Sequence, residues 1–155
     1  MTLTTRILGK PGWDNAVLVT IDTGHRIWRI AIDCGADCLS ELSYAECKQI
    51  DILLLSHLHM DHISGFDAFV RANYSRQEGP VDIYGPADSA RILHHRLQGY
   101  MWNLVGPQTP GGFRVHDVLP GEIHTHRFDA GQGFAEDHFE GSRPHQWTLF
   151  ENEDL

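Results

Sequence analysis

Three imidazoles and one carboxylate lie within a short stretch of this 155-residue chain, at His57, His59, Asp61 and His62. In an extended segment His57 and His59 point to the same side and can close on one cation. Asp61 and His62 start the next element and point to a neighbouring position. A set of nitrogen and carboxylate oxygen ligands suits zinc first, with manganese and iron as alternatives.

The alternative interpretation is that these histidines only cap a helix or form polar surface. A lone histidine would be read that way. Packing several ionisable groups together without a metal costs desolvation and, on protonation, mutual repulsion. The chain also has 11 histidines, more than its core needs, and histidine is the commonest side-chain metal ligand. The cluster therefore predicts a metal site.

The cluster directly follows four consecutive apolar residues, Ile52-Leu53-Leu54-Leu55, which predict a strand buried on both faces. Residues at the carboxyl end of such a strand converge on one crevice of an α/β sheet. The other predicted strands lie near 3–8, 16–22, 27–32, 81–84, 113–118, 121–129 and 146–151. Helices are predicted over 36–48, over 63–70 and from Pro86 to Leu104, and a hairpin turn over 22–25. This order predicts an α/β fold with helices packed on a sheet.

Length and charge restrict the class of protein. With 155 residues, 41% of them hydrophobic, we expect one domain over residues 1–155. No apolar run approaches the ~20 residues that cross a bilayer, and the N-terminus lacks the features of a signal peptide, so we expect a cytoplasmic protein without a membrane partner. The net charge of -9 disfavours a nucleic-acid partner, because phosphate contacts are made largely by Lys and Arg. Cys34, Cys38 and Cys47 form no CxxC pair and are expected to be reduced, buried thiols.

The motif His-x-His-x-Asp-His resembles that of the metallo-β-lactamase superfamily. The segment 30–35 is similar to the family's strand that ends in Asp-x-Gly, and Asp14-Asn15-Ala16 to its entry loop. The segment from His57 to Phe66, followed by Ile83-Tyr84-Gly85-Pro86, is most similar to the ribonuclease Z-like phosphodiesterase branch. The resemblance implies an αββα sandwich, of which this chain supplies the N-terminal half and the start of the second sheet. The single domain would then be C-terminally incomplete relative to typical members.

The resemblance also implies a function for individual residues. His57, His59 and a later third histidine would bind one metal ion, while Asp61 and His62 would bind a second. Asp61 would also act catalytically, by orienting or sharing the reactive water. The first candidate for the third histidine is His138, which precedes a predicted strand, and the alternatives are His145, His124 and His126. In the family, a bridging aspartate and a final histidine come from the second half of the fold.

Two functions from different classes follow from these expectations. The first is a metal-dependent hydrolase with one or two zinc ions, in which a metal-activated hydroxide attacks a small-molecule or phosphodiester substrate. The second is a non-catalytic or partner-completed metal-binding protein that lacks the second-half ligands. Half a sandwich leaves one apolar sheet face uncovered, so we expect a homo-oligomer or a partner chain.

Several other side chains have two interpretations. Asp33 either hydrogen-bonds a ligand histidine and fixes its tautomer or forms a strand-end turn beside Gly35. His124 and His126 share a strand face, which we expect to be solvated rather than metal-binding. His94 and His95 are expected at the surface, and Trp102 and Trp147 in the core rather than stacked on a substrate base.

Overall fold

The computed structural model describes residues 1–10, 12–146 and 148–151. The chain divides into two compact units, one formed by Met1–Ala72 with the residues from Thr148 onward, the other by Asn73–Trp147. Among the described residues, each unit contains four strands. The prediction of one domain over residues 1–155 stays a prediction. Within the described residues, no helix has both the length and the apolar character needed to cross a bilayer.

The strands of the first unit are β1 (Thr2–Gly9), β2 (Asn15–Asp22), β3 (Ile27–Ile32) and β4 (Ile52–Leu54). The first three form an antiparallel meander, and β4 pairs in parallel with β3. The predicted hairpin between β2 and β3 is confirmed. Gly24 has a φ of 87° there, and its amide donates to the Asp22 carboxylate over 2.8 Å, a local bond that favours the turn.

The helix predicted over 36–48 is wrong as a single element. The structure has a 3₁₀ helix at Cys38–Glu41, an extended Leu42, and then the helix α1 (Tyr44–Lys48). The break occurs because Ser43 forms a capping box with Glu46, in which each side chain accepts a hydrogen bond from the other residue's amide. A new helix therefore starts at Tyr44.

The helical segment after the cluster is also divided, into α2 (Met60–Ile63) and α3 (Phe66–Asn73). They separate at Gly65, whose amide donates to the Cys34 carbonyl over 2.8 Å. Alternate strand positions and the helices together supply the buried core of this unit, which includes Leu8, Ala16, Leu18, Ala31, Leu53, Leu39, Phe66 and Phe69.

The other face of β1 and β2 also carries large apolar residues. Leu3 pairs with Ile21, and Ile7 pairs with Val17. Leu3 is 59% exposed and Ile7 is 75% exposed. Large apolar side chains this accessible are the kind of surface that commonly contacts another protein segment.

The strands of the second unit are β5 (Val81–Pro86), β6 (Gly112–Leu119), β7 (Glu122–Asp129) and β8 (His138–Pro144). β5 and β6 are parallel, whereas β6, β7 and β8 are antiparallel, with a bulge at Thr125/His126. The predicted strand over 146–151 is wrong for the described residues of that range, and Trp147 lies outside them. The last strand comes earlier, in a polar sequence with little apolar alternation, and is formed by its pairing with β7.

The helix predicted from Pro86 to Leu104 is shorter, since α4 spans Ser89–Leu97. Pro86 belongs to β5, because the parallel pairing with β6 extends to Pro86 and Val118. At the other end, the Trp102 indole donates to the Leu97 carbonyl over 2.7 Å. This bond satisfies one of the carbonyls that a helix end leaves without an intrahelical partner. A 3₁₀ helix at Ala130–Gln132 follows β7.

Candidate metal centre

The histidine cluster occupies the loop between β4 and α2 and the first turn of α2. His57, His59 and Asp61 each offer one ligand atom, and these three atoms lie within 4.8 Å of one another. The ring centroids of His57 and His59 are 4.9 Å apart and those of His57 and His62 are 3.7 Å apart. His59 and Asp61 are exposed while His57 is half-buried. The structure therefore brings the four motif residues together on an accessible surface of the first unit.

A hydrogen-bond relay determines the tautomers of His57 and His62. The Ser56 hydroxyl donates to Asp33 Oδ2 over 2.8 Å, and His62 Nδ1 lies 2.8 Å from the same oxygen. The Ser56 oxygen is 3.0 Å from His57 Nδ1. Because the carboxylate only accepts and the serine proton is already used, both Nδ1 atoms must donate. Nε2 of His57 and of His62 is then left with a lone pair that can bind a cation.

Asp33 anchors this relay at the end of β3. It is 7% exposed, has a φ of 61°, and its amide donates to the Leu54 carbonyl over 2.7 Å. Its second carboxylate oxygen, Oδ1, accepts from the Ser56 amide over 2.8 Å. Asp33 thus hydrogen-bonds a histidine of the cluster, as its first interpretation requires, while the role of that histidine as a metal ligand stays a prediction. Such partners set the tautomer and ring orientation of metal-binding histidines.

The donor set fits a divalent transition metal. Two ligands that each lie about 2.1 Å from zinc are separated by no more than about 4.2 Å, so the three atoms within 4.8 Å need only a small closing movement. Asp61 Oδ2 also lies 3.3 Å from His62 Nε2. A set of imidazole nitrogens and a carboxylate oxygen matches the preferences of zinc.

Three backbone segments meet beside the cluster without spare room. A Cβ added at Gly35 would lie 2.5 Å from the Asp61 carbonyl oxygen and 2.6 Å from Asp14 Cβ. The Cys34 amide donates to the His62 carbonyl over 2.8 Å. Asp14 Oδ2 accepts from the Ala36 amide and the Ser64 hydroxyl, each over 2.9 Å. These two hydrogen bonds hold the pKa of Asp14 below its usual value, and the bond from Ala36 contributes more than the bond from Ser64.

The third-histidine candidates belong to the second unit. His138 lies at the start of β8 with Nε2 2.8 Å from Gln132 Oε1, and its assignment as a metal ligand stays a prediction. The alternatives have bonds of their own. His145 Nε2 is 2.9 Å from the Leu119 carbonyl, His124 lies 3.1 Å from Glu122, and His126 lies 2.8 Å from Asp137.

Sequence reasoning missed three polar residues. Ser56 was assigned no role, and only its position directly after the buried strand could have marked it. Asp14 was placed in a loop, and no local pattern linked it to residues 36 and 64. His116 was not identified, although it is 6% exposed, stacks on Tyr84 at 4.1 Å and lies 2.8 Å from Asp82.

Two further side-chain predictions can be compared with the structure. His94 is half-buried rather than at the surface, since it stacks on Phe128 at 4.6 Å and its Nε2 lies 2.8 Å from the Phe134 carbonyl. Trp102 packs against Phe134 at 4.6 Å, which confirms the expected packing. Trp147 lies outside the described residues.

Comparison with known proteins identifies the family. The family described as "Anti-Pycsar protein Apyc1" matches residues 8–140, most of the chain. The chain belongs to this family. This Apyc1 family member is 44% identical over 153 residues to a Ribonuclease Z of Deinococcus radiodurans. The alignment covers 99% of this chain and 46% of the relative. The chain therefore spans about half the length of this curated relative.

Solved structures similar to this Apyc1 family member share its fold. The metallo-β-lactamase fold protein YhfI of Bacillus subtilis aligns with a TM-score of 0.50 at 17% identity, over 82% of this chain and 59% of YhfI. A long form RNase Z from yeast aligns with a TM-score of 0.51 at 16% identity, over 73% of this chain and 17% of that protein. These findings confirm the α/β metallo-β-lactamase fold and the ribonuclease Z-like branch that the motif predicted.

Proposed function

We propose that this chain is the metal-binding part of a metal-dependent hydrolase that cleaves phosphodiesters. The observation that carries the proposal is the convergence of the His57, His59 and Asp61 ligand atoms within 4.8 Å. The relay through Ser56 and Asp33 supports it, because it leaves Nε2 of His57 and His62 with outward lone pairs. The similarity to a protein named Ribonuclease Z favours a phosphodiester as the bond that is cleaved.

The residues divide between two cation positions. His57 and His59 would hold one ion, and Asp61 with His62 would hold a second; the assignment of His138 as a third ligand of the first ion stays a prediction. Zinc is the first choice, and manganese and iron are alternatives. When bound, the metal supplies hydroxide at neutral pH and positive charge next to the developing negative charge.

The chain's own groups orient the reactants. The Asp61 side chain is 61% exposed, so its free oxygen can accept a hydrogen bond from an incoming water and direct it toward the substrate. His62 is bonded to buried Asp33 through Nδ1 and lies 3.3 Å from Asp61 through Nε2. Because Nε2 carries a lone pair, it does not donate to this carboxylate, and the two groups face each other as candidate ligands of one ion.

Charge and compartment refine the proposal. A net charge of -9 repels a long polyanion, so we propose a small phosphodiester rather than an extended nucleic acid as the substrate. The three cysteines, all among the described residues, are buried and form no disulfide. Reduced thiols are typical of a reducing compartment, which supports the proposal of a cytoplasmic location.

A second function, a metal-binding protein completed by another chain, is favoured by one observation. The three ligand atoms that converge, from His57, His59 and Asp61, are fewer than the four ligands that structural zinc sites usually have. A further ligand would then come from a partner, and the isolated chain would bind metal without turnover.

Metal content and turnover of matched variants test the proposal. His59→Ala should lose bound metal and the hydrolysis of an aryl phosphodiester. His95→Ala, which removes another exposed histidine outside the cluster, should keep both. Full turnover by the His59→Ala variant would exclude this site. Stoichiometric metal in the wild type without hydrolysis of any ester in a panel would instead support the partner-completed protein.

Removal of the metal gives an independent test. Dialysis against a chelator should abolish hydrolysis by the wild type, and added Zn²⁺, Mn²⁺ or Fe²⁺ should each be tried for recovery. The ion that restores the highest rate at stoichiometric loading identifies the metal. Hydrolysis that survives complete demetallation would rule out a metal-dependent reaction.

A further inference from the structure

Asp14 lies in the loop between β1 and β2, outside the histidine cluster. One of its oxygens, Oδ2, accepts from both the Ala36 amide and the Ser64 hydroxyl, each over 2.9 Å. Ala36 follows the segment that begins with Asp33, and Ser64 is the C-cap of α2, the helix that contains Asp61 and His62. A single side chain therefore connects the two segments that supply the relay and half of the cluster.

The contacts around Asp14 leave no room for independent movement of these segments. The Gly35 backbone lies so close to the Asp61 carbonyl that an added Cβ would be 2.5 Å from it. The Cys34 amide bonds the His62 carbonyl, and the Gly65 amide bonds the Cys34 carbonyl, both over 2.8 Å. Because tightly packed backbone transmits displacement rather than absorbing it, a shift at Ala36 or Ser64 moves Asp61 and His62.

We propose that Asp14 is a positioning residue of the metal centre, which holds Asp61 and His62 against His57 and His59 through its two hydrogen bonds. The inference rests on the proposed function, since the group it positions is the proposed metal site. Asp14 acts through other residues. Its Oδ2 is occupied by two donors, and the metal-ligand group found among the described residues does not include it.

The hydrogen bonds, rather than the charge, carry this effect. The low pKa of Asp14, caused first by the Ala36 bond and then by the Ser64 bond, keeps the carboxylate ionised at neutral pH. Both donors are neutral, however, so an uncharged oxygen in the same place can accept from them. Asp14→Asn preserves such an oxygen, whereas Asp14→Ala removes both bonds.

Cobalt binding separates positioning from general stability. The demetallated wild type and variants are titrated with Co²⁺, and the affinity and the visible d–d spectrum are recorded without substrate. Asp14→Ala should weaken Co²⁺ binding about 10- to 100-fold, the usual effect of losing a group that orients metal ligands, and should change the spectrum. Asp14→Asn should restore binding and spectrum to near the wild type.

The matched control is Asp22→Ala, which removes another aspartate that accepts from a backbone amide, at the opposite end of β2. It should leave the Co²⁺ affinity and spectrum unchanged even if it lowers the melting temperature. If Asp14→Ala does not fold, Ser64→Ala removes one of the two bonds and should give a smaller loss of affinity in the same direction.

Three results would overturn the proposal. They are wild-type Co²⁺ affinity in a folded Asp14→Ala variant, an Asp14→Asn variant as weak as Asp14→Ala, and an equal loss of affinity in Asp22→Ala. A wild type that binds Co²⁺ but hydrolyses no ester contradicts the proposed hydrolase alone, because the Asp14 comparison needs no turnover. A wild type that binds no Co²⁺ contradicts both.

Discussion

His62 Nδ1 lies 2.8 Å from Asp33 Oδ2, which joins residues that are 29 positions apart in the chain. Asp33 is buried, so a hydrogen bond and not solvent holds the imidazole in one orientation. The same oxygen also accepts from the Ser56 hydroxyl. One carboxylate from the end of β3 thus determines how two histidines present their Nε2 atoms.

We expect Asp33→Ala to weaken metal binding about 10- to 100-fold, since the cluster loses the group that orients His62. The variant should also unfold more easily, because the exposed Ser56 and the half-buried His62 each lose a hydrogen bond to the carboxylate, at about 1 kcal/mol for each bond. Competition titration with a chromophoric chelator measures the first effect and urea unfolding of the metal-free protein the second. Asp33→Asn keeps one acceptor oxygen, so its metal affinity and stability should lie between those of the wild type and those of Asp33→Ala. Unaltered metal affinity in Asp33→Ala would show that the relay has no part in binding.

Gly65→Ala tests the close approach of the backbone segments beside the cluster. The added methyl group would meet the Gly35 carbonyl oxygen and would lie 2.9 Å from the Cys34 carbonyl oxygen. Overpacking of this kind typically costs about 1–3 kcal/mol. Gly106→Ala is the control, because a Cβ there has no neighbour within 4 Å. Equal urea midpoints for the two variants would contradict the packing described for this junction.

The three cysteines should react with thiol reagents only after unfolding. Cys34 and Cys38 are fully buried and Cys47 is nearly so. Burial, followed by the nearby Asp14 carboxylate, raises the pKa of the Cys38 thiol, so little of the reactive thiolate is present at neutral pH. Native protein treated with a disulfide reagent should release almost no product, and protein in denaturant should release three equivalents. Rapid labelling of the folded chain at neutral pH would be inconsistent with these positions.

Ser43→Ala should lower stability by about 1 kcal/mol at neutral pH, the usual effect of losing an N-cap side chain. It should also change the response to acid. Hydrogen bonds from the Ser43 side chain and then its backbone hold the pKa of Glu46 below the ordinary 4.5. The unfolded chain therefore takes up this proton at a higher pH than the folded chain.

The contribution of Glu46 is accordingly present above about pH 4.5 and is lost as the pH falls through the lower folded value. Urea unfolding at neutral and acid pH should show a smaller acid-induced loss in Ser43→Ala than in the wild type. Ser43→Thr, which can still cap the helix, should behave like the wild type. An identical acid response in all three proteins would mean that this capping box does not contribute.

The exposed Leu3 and Ile7 predict self-association or a partner chain. The double variant Leu3→Ser, Ile7→Ser should sediment as a smaller species than the wild type at the same high concentration. The reason is that association of the variant removes less apolar surface from water. Leu104→Ser removes another exposed leucine, from the second unit, and should not change the sedimentation coefficient. A wild type that remains a monomer at high concentration would contradict self-association.

The sequence by itself determined the features that depend on neighbours along the chain. Alternating and continuous apolar runs predicted β1 to β7, the Gly24 turn predicted the hairpin, and the spacing of His57, His59, Asp61 and His62 predicted both the ligand cluster and the superfamily. These signals are local, since side-chain direction in a strand or turn follows from the next few residues.

Tertiary structure decided which contacts hold the cluster in place and where the last strand of the second unit lies. The bonds of Asp33 to His62 and of Asp14 to Ala36 and Ser64 join residues 22 to 50 positions apart, and no short pattern encodes them. The strand His138–Pro144 has too few apolar residues to show alternation and exists through its ladder with β7. The candidate ligands could be named from the sequence because they lie within one short segment. Ligand orientation could not, because it depends on acceptors that only folding brings within hydrogen-bond distance.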